Sequence, residues 1–165
     1  MRSMNMHDLL KLLSESKVEF VLVGGLAVAL RGYQRVTMDV DVVLAMDDEN
    51  LQRFVFAARA AGLRPTIPVP LESLGQPELI DKWFHEKGML AFSLRGGETK
   101  ATVLDVLVRP VVPFDQLQRD AAAIKVGSLE IPVASIAHLI EMKSGTGRTK
   151  DMIDIEELRK LQKQQ

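Results

Sequence analysis

At 165 residues with 21 Lys and Arg against 22 Asp and Glu, the chain is one domain's worth of polypeptide, and its net charge of -1 supplies no positive field to draw it onto nucleic acid or an anionic membrane. Hydrophobic residues at 47% and charged residues at 26% are ordinary globular usage, which excludes a disordered or fibrous chain. The absence of cysteine excludes disulfides, thiolate chemistry and Cys-based zinc sites, and no apolar run approaches the ~20 residues that span a bilayer, so a single cytoplasmic domain without a membrane partner is expected.

Leu9, Leu10, Leu12 and Leu13 share a helical face, which predicts an amphipathic helix over Asp8 to Ser16. Val18 to Val23 switches to a β-rich run that stops at Gly24-Gly25. Leu26 to Arg31 is a short apolar helix that Gly32 can end, and Val36 to Ala45 is a second strand. Asp47 can cap a helix over Asp48 to Ala61, closed by Gly62. Four prolines between Pro65 and Pro77 predict a meandering loop, with a short helix over Glu78 to Phe84 beyond it. Met89 to Leu94 and Ala101 to Val108 read as strands joined by a hairpin at Arg95 to Lys100. A helix over Phe114 to Ala123 follows, then a hairpin over Ile124 to Val133 turning at Gly127-Ser128. Ser135 can cap a helix to Lys143, and a charged helix from Asp151 to Gln165 resumes after Ser144-Gly145-Thr146-Gly147.

Three carboxylates stand out. Side chains alternate along a strand, so Asp39 and Asp41 project from one face a few ångströms apart and repel unless a cation sits between them. A hard divalent ion is suited to this, because Mg²⁺ takes carboxylate oxygens together with substrate phosphates. Asp105 is the only charged side chain in Val103 to Val108, a run apolar enough to be buried on both faces, where an isolated charge is expensive unless paired or metal-bound. On a strand beside Asp39 and Asp41 it completes an acidic cluster able to hold two metal ions. The other reading of Asp39-Val40-Asp41-Val42 is an edge strand with one wet face.

Gly24-Gly25 lies where an apolar strand meets a short helix, so its free backbone N–H groups and the positive end of the helix dipole can receive a phosphate; equally, the turn needs glycine for shape alone. Arg35 can neutralise phosphate, orient a carboxylate or form a plain ion pair, and Thr37 shares the side of Asp39 and Asp41. Lys143 near a helix end can swing over a triphosphate, although the dipole alone favours lysine there. Lys150 and Asp154 share a helical face and can form a weak surface pair. His7, His85 and His138 show no metal-ligand spacing, and Met38, Met46, Met89, Met142 and Met152 read as core filling.

Taken together, Gly24-Gly25-Leu26-Ala27, Gly32, Arg35, Thr37, Asp39 and Asp41 resemble the first motif of the nucleotidyltransferase (polymerase β-like) superfamily, in the AbiEii/MenT-like form G-G-x-A…G…R-x-T-x-D-x-D. Lys143 and Lys150-Asp151-Met152-Ile153-Asp154 resemble a further lysine and Lys-Asp-x-x-Asp element of that branch. Many relatives carry Ser after the first glycine, whereas Gly25 offers only backbone.

The resemblance implies an α/β (α+β) nucleotidyltransferase fold, a mixed central sheet flanked by helices. It implies transfer of a nucleoside monophosphate from a nucleoside triphosphate such as ATP to an acceptor hydroxyl, by a two-metal mechanism with Mg²⁺ or Mn²⁺ on Asp39, Asp41 and Asp105. Gly24, Gly25, Arg35, Thr37, Lys143, Lys150, Asp151 and Asp154 are the implied nucleotide-binding residues. The acceptor could be an RNA end, a protein side chain or a small molecule such as an antibiotic. The implied setting is a toxin–antitoxin or phage-defence pair, with a partner protein or a homo-oligomer. The alternative is a catalytically silent or partner-dependent binding module of such a pair.

Overall fold

The computed structural model describes residues 4–97 and 101–164. Helix α1 (Met6–Glu15) starts at a capping box: the Asn5 side chain accepts from the Asp8 N–H at 2.8 Å, and the Asp8 carboxylate accepts from the Asn5 N–H at 3.0 Å. Its leucine face buries Leu9, Leu10 and Leu13. Strand β1 (Phe20–Val23) is buried at every position and runs directly into α2 (Gly24–Arg31). β2 (Val40–Leu44) and α3 (Asp48–Ala60) follow, then β3 (Arg64–Pro65), a 3₁₀ turn (Leu71–Gly75) inside the proline-rich stretch, and α4 (Pro77–Lys87). The chain continues through β4 (Ala91–Arg95), β5 (Leu104–Leu107), α5 (Phe114–Asp120), β6 (Ala122–Val126), β7 (Leu129–Val133), α6 (Ile136–Lys143) and α7 (Thr149–Lys163).

The strands form one mixed seven-stranded sheet in the order β3-β4-β5-β2-β1-β7-β6. The pairs β2·β5 and β1·β7 are parallel, and β1·β2, β3·β4, β4·β5 and β6·β7 are antiparallel. The central strands carry the apolar residues that bury completely, Val21, Leu22, Val40, Val42, Leu104 and Val106 among them, because neighbours cover them along both edges. β6 and β7 form the expected hairpin, with Gly127 taking φ +63° at the turn. Glu98, Thr99 and Lys100, the far part of the expected β4–β5 turn, lie outside the described residues, but the antiparallel β4·β5 pairing on either side is present.

The structure corrects four expectations. The second strand covers only 40–44; residues 33–39 form no regular element, because Gly24 turns β1 away into α2 at φ +71° and leaves them no partner beyond the Val23–Asp41 register. The helix from Phe114 ends at Asp120, and Ala122 and Ala123 join β6. β5 is not buried on both faces: Leu104 and Val106 point into the core, while Asp105 and Leu107 are half-buried on the opposite face. Met38, Met46 and Met152 are exposed rather than core filling.

Candidate active site

The site lies where β1 ends and β2 begins. In the sheet register Ser93, Asp105, Asp41 and Val23 form one row across β4, β5, β2 and β1, so the parallel β2·β5 pairing sets the two carboxylates side by side. The carboxyl groups of Asp41 and Asp105 hydrogen-bond to each other, and the Ser93 hydroxyl donates to Asp105 Oδ1. Burial, followed by the charge and hydrogen bond of Asp105 and the charge of Asp39, pushes the Asp41 carboxyl up to about 7. Asp39 also sits above the usual carboxylate range, chiefly through burial and the charge of Asp105, against a backbone hydrogen bond from Val103 and the charges of Lys150 and Arg95.

Gly24 makes this cluster possible. A Cβ there would stand 2.0 Å from Asp41 Oδ2, and the residue holds φ +71°, so both space and backbone require glycine. At Gly25 a Cβ would stand 3.0 Å from Thr37 Oγ1 and 3.4 Å from Arg35 Cζ; the Thr37 hydroxyl fills the space over the turn that a side chain at residue 25 would take.

The far wall is an ion-pair network. Lys143 Nζ lies 3.2 Å from Asp151 Oδ1 and 2.9 Å from Asp154 Oδ2, Arg148 Nε lies 2.7 Å from Asp151 Oδ2, and Arg35 pairs with Asp154. Burial opposes the Asp151 charge, but the hydrogen bond from Thr146 at 2.8 Å and the charges of Lys143 and Arg148 outweigh it and hold its pKa below the usual range. Three cations share two carboxylates, and the positive surplus faces the three aspartates, with exposed Lys150 adding to it.

One cavity of about 470 Å³ joins the two walls. Gly24, Gly25, Arg35, Thr37, Asp39, Asp41, Asp105, Lys143, Lys150 and Asp151 all border it. Asp154 does not: it is buried behind the network as the partner of Arg35 and Lys143, and the surface pair expected between it and Lys150 is replaced by those contacts. Arg148, Leu90, Ala91 and Leu107 also border the cavity and Ser93 stands beside it, none of them within the motifs; Ser93 and Ala91 take their places only through the β4·β5 register, which no local pattern reveals.

Among the described residues no group of three or more His, Asp or Glu side chains is placed to hold a metal ion by itself. The donor set nevertheless suits a hard divalent ion, since Asp41 and Asp105 are in contact, the charge of Asp105 reaches Asp39 and that of Asp39 reaches Asp41, and Mg²⁺ needs only one or two carboxylates when phosphates complete its shell. Among the described residues no helix is long and apolar enough to cross a membrane.

No family model and no curated protein matches this chain. Solved structures do. The lincosamide antibiotic adenylyltransferase LnuA, in its lincomycin-bound form, superposes with a TM-score of 0.59 at 19% identity, over 97% of this chain and 99% of that one. ANT(2'')-Ia in complex with adenylyl-2''-tobramycin superposes with a TM-score of 0.54 at 14% identity, over 96% of this chain and 93% of that one. A solution structure of ANT(2'')-Ia gives a TM-score of 0.56 at the same 14% identity, over 96% of this chain and 88% of that one. The sheet and its flanking helices therefore have the nucleotidyltransferase fold.

Proposed function

We propose that this protein is a nucleotidyltransferase that moves a nucleoside monophosphate from a nucleoside triphosphate to an acceptor hydroxyl. The observation that carries the reading is that Asp39, Asp41 and Asp105 all border one cavity whose other side is a glycine turn and a cationic wall. The likeness in fold to two antibiotic-modifying nucleotidyltransferases supports it.

In this reading the Gly24-Gly25 backbone and the N-terminus of α2 receive triphosphate oxygens, and Lys143, Arg148, Lys150 and Arg35 balance their charge. Thr37 and Asp151 border the nucleotide, Asp151 by orienting Lys143 and Arg148, and Asp154 acts from behind through Arg35 and Lys143. Asp39, Asp41 and Asp105 would hold Mg²⁺ or Mn²⁺, which supplies a counter-charge to the carboxylates and withdraws charge from the phosphates. The acceptor oxygen attacks the α-phosphorus, the bond to the β-phosphate oxygen breaks, and pyrophosphate leaves. The acceptor proton passes to Asp105, the carboxylate on the β4 side of the cluster.

The direct test is incubation with each labelled nucleoside triphosphate, Mg²⁺ and a cell extract, with the labelled product then identified. Asp41→Asn should reduce transfer by roughly 100-fold or more, because it removes charge at the reacting centre; full activity in that variant would sink the mechanism. The same pair of proteins tests a toxin–antitoxin setting, whose signature is growth arrest on expression of the parent chain and not of the variant.

A further inference from the structure

The two sides of the cleft differ in chemistry. Toward β1, α6 and α7 it is lined by the glycine turn and the cations together with Leu139 and Met142 of α6; toward β4 it is lined by Leu107 and Ala91, which pair in register two residues beyond Ser93 and Asp105, and by Leu90 at the mouth. Leu90 is 69% exposed, and Val36 and Met38, which also border the cavity, are 83% and 73% exposed. Among the described residues these are three of the nine large apolar side chains left in water, gathered around one opening. Single exposed apolar residues are commonplace, but a group beside convergent polar groups marks a binding surface.

Resting on the reading above, we infer that the β4 side of the cleft is the acceptor subsite and selects an uncharged hydroxyl compound with an apolar face. The cations among the described residues that line the cavity, Arg35, Lys143, Arg148 and Lys150, stand on the opposite wall; on β4 Arg95 is near enough for its charge to reach Asp39 but does not line the cavity, so the lining on this side offers no row of cations to a nucleic-acid backbone, whose recognition depends on phosphate contacts. Among the described residues the acidic groups that line the cavity's β4 half are those of the reacting centre, with no separate anionic surface for a polyamine. An apolar body against Leu90, Ala91 and Leu107 brings its hydroxyl alongside Asp105, two residues from Leu107 on the same face of β5. The cavity's 470 Å³ is taken up largely by a nucleotide, so the apolar body lies across the mouth, where Val36, Met38 and Leu90 stand.

The test uses hexyl β-D-glucoside as a probe, with glucose, spermine and oligouridylate as comparisons, each titrated below any micelle concentration onto the full chain with and without Mg²⁺ and a non-hydrolysable ATP analogue. The alkyl glucoside should bind at least 10-fold more tightly than glucose, Leu90→Asp should erase that difference, and Phe56→Asp, an equally exposed apolar residue on α3, should preserve it. The proposal is overturned if Phe56→Asp weakens the probe as much as Leu90→Asp does, if Leu90→Asp leaves binding unchanged, or if spermine or oligouridylate displaces the probe. Binding of the ATP analogue is read separately in every variant. Its absence from the parent chain counts against nucleotide transfer, whereas its presence with no preference for the alkyl glucoside counts against the acceptor subsite alone.

Discussion

Two residues decide whether the cleft can exist. Gly24→Ala forces a methyl group to within 2.0 Å of Asp41 Oδ2 at a backbone angle that side chains rarely adopt, so Asp41 must leave the row it shares with Asp105. The expected outcome is loss of transfer together with a destabilisation of about 1–3 kcal/mol, read by thermal denaturation beside the transfer assay. Asp154 shows how a residue can matter without touching ligand. With a side chain 2% exposed it pairs with Arg35 and Lys143, residues 119 and 11 positions away in sequence, and Asp154→Asn leaves both cations short of charge inside the protein. Breaking a buried pair from one side costs about 3–5 kcal/mol, and the freed cations then hold the triphosphate poorly. Asp154→Asn should therefore weaken nucleotide binding as well as lower the melting temperature. Asp154→Glu, which keeps the charge, should recover binding at least in part; if both variants melt early but bind nucleotide like the parent chain, Asp154 does no more than support the fold.

At the scale of elements, much was legible because local physics decided it. Asp47 and Ser135 cap α3 and α6 by accepting from Asn50 and His138, and Gly32 and Gly127 sit where positive φ is needed. Asp39 and Asp41 stood out because two charges among valines break the apolar run, and Asp105 for the same reason. Pairing was not legible: that β2 lies parallel to β5 and that Ser93 faces Asp105 depends on contacts across the sheet, which periodicity within one strand cannot encode. Asn50 is the plainest case. It is a polar residue in the first turn of α3, a position no pattern in the sequence marks, yet it is fully buried, donating to the Glu19 carbonyl at 2.9 Å and the Ala45 carbonyl at 2.8 Å and accepting from the Glu19 N–H at 2.7 Å. These bonds tie α3 to the entry of β1, which ends at the site, and to the exit of β2, which starts there. Asn50→Ala removes the partner of the Glu19 N–H and of the Ala45 carbonyl, while the Glu19 carbonyl keeps the Ala45 N–H at 3.2 Å, and should cost about 2–4 kcal/mol, a fall in melting temperature on the order of 10 °C. A change of only a degree or two would mean that water reaches those groups.

The whole molecule places like charges together and leaves their repulsion as a standing load on the fold. In the metal-free protein Asp41 holds its proton up to about 7, whereas in the unfolded chain it releases it near 3.8. Between those values the folded state binds more protons than the unfolded one, so stability falls as pH rises from about 4 to about 7, and above 7 the loss is complete. Asp39, raised for the same reasons, acts in the same sense. Asp151 acts in the opposite sense: its pKa is lowered in the fold, so its contribution is present above the ordinary carboxylate range and is lost as pH drops through it. The metal-free protein should therefore be most stable on the acid side, near pH 4–5, below the range of about pH 5–8 where stability usually peaks. A cation that binds the ionised carboxylates binds the folded state alone and must reverse this trend, because its affinity grows as the protons leave. Melting curves from pH 4 to 9 should thus show a declining branch that millimolar Mg²⁺ or Mn²⁺ flattens, and Asp41→Asn should lose most of that branch and melt higher than the parent chain at pH 8 without metal. A parent chain whose melting temperature rises steadily from pH 4 to 8 and ignores both ions would show that the three aspartates are solvated apart in solution, and with that the case for a metal-dependent centre would fail.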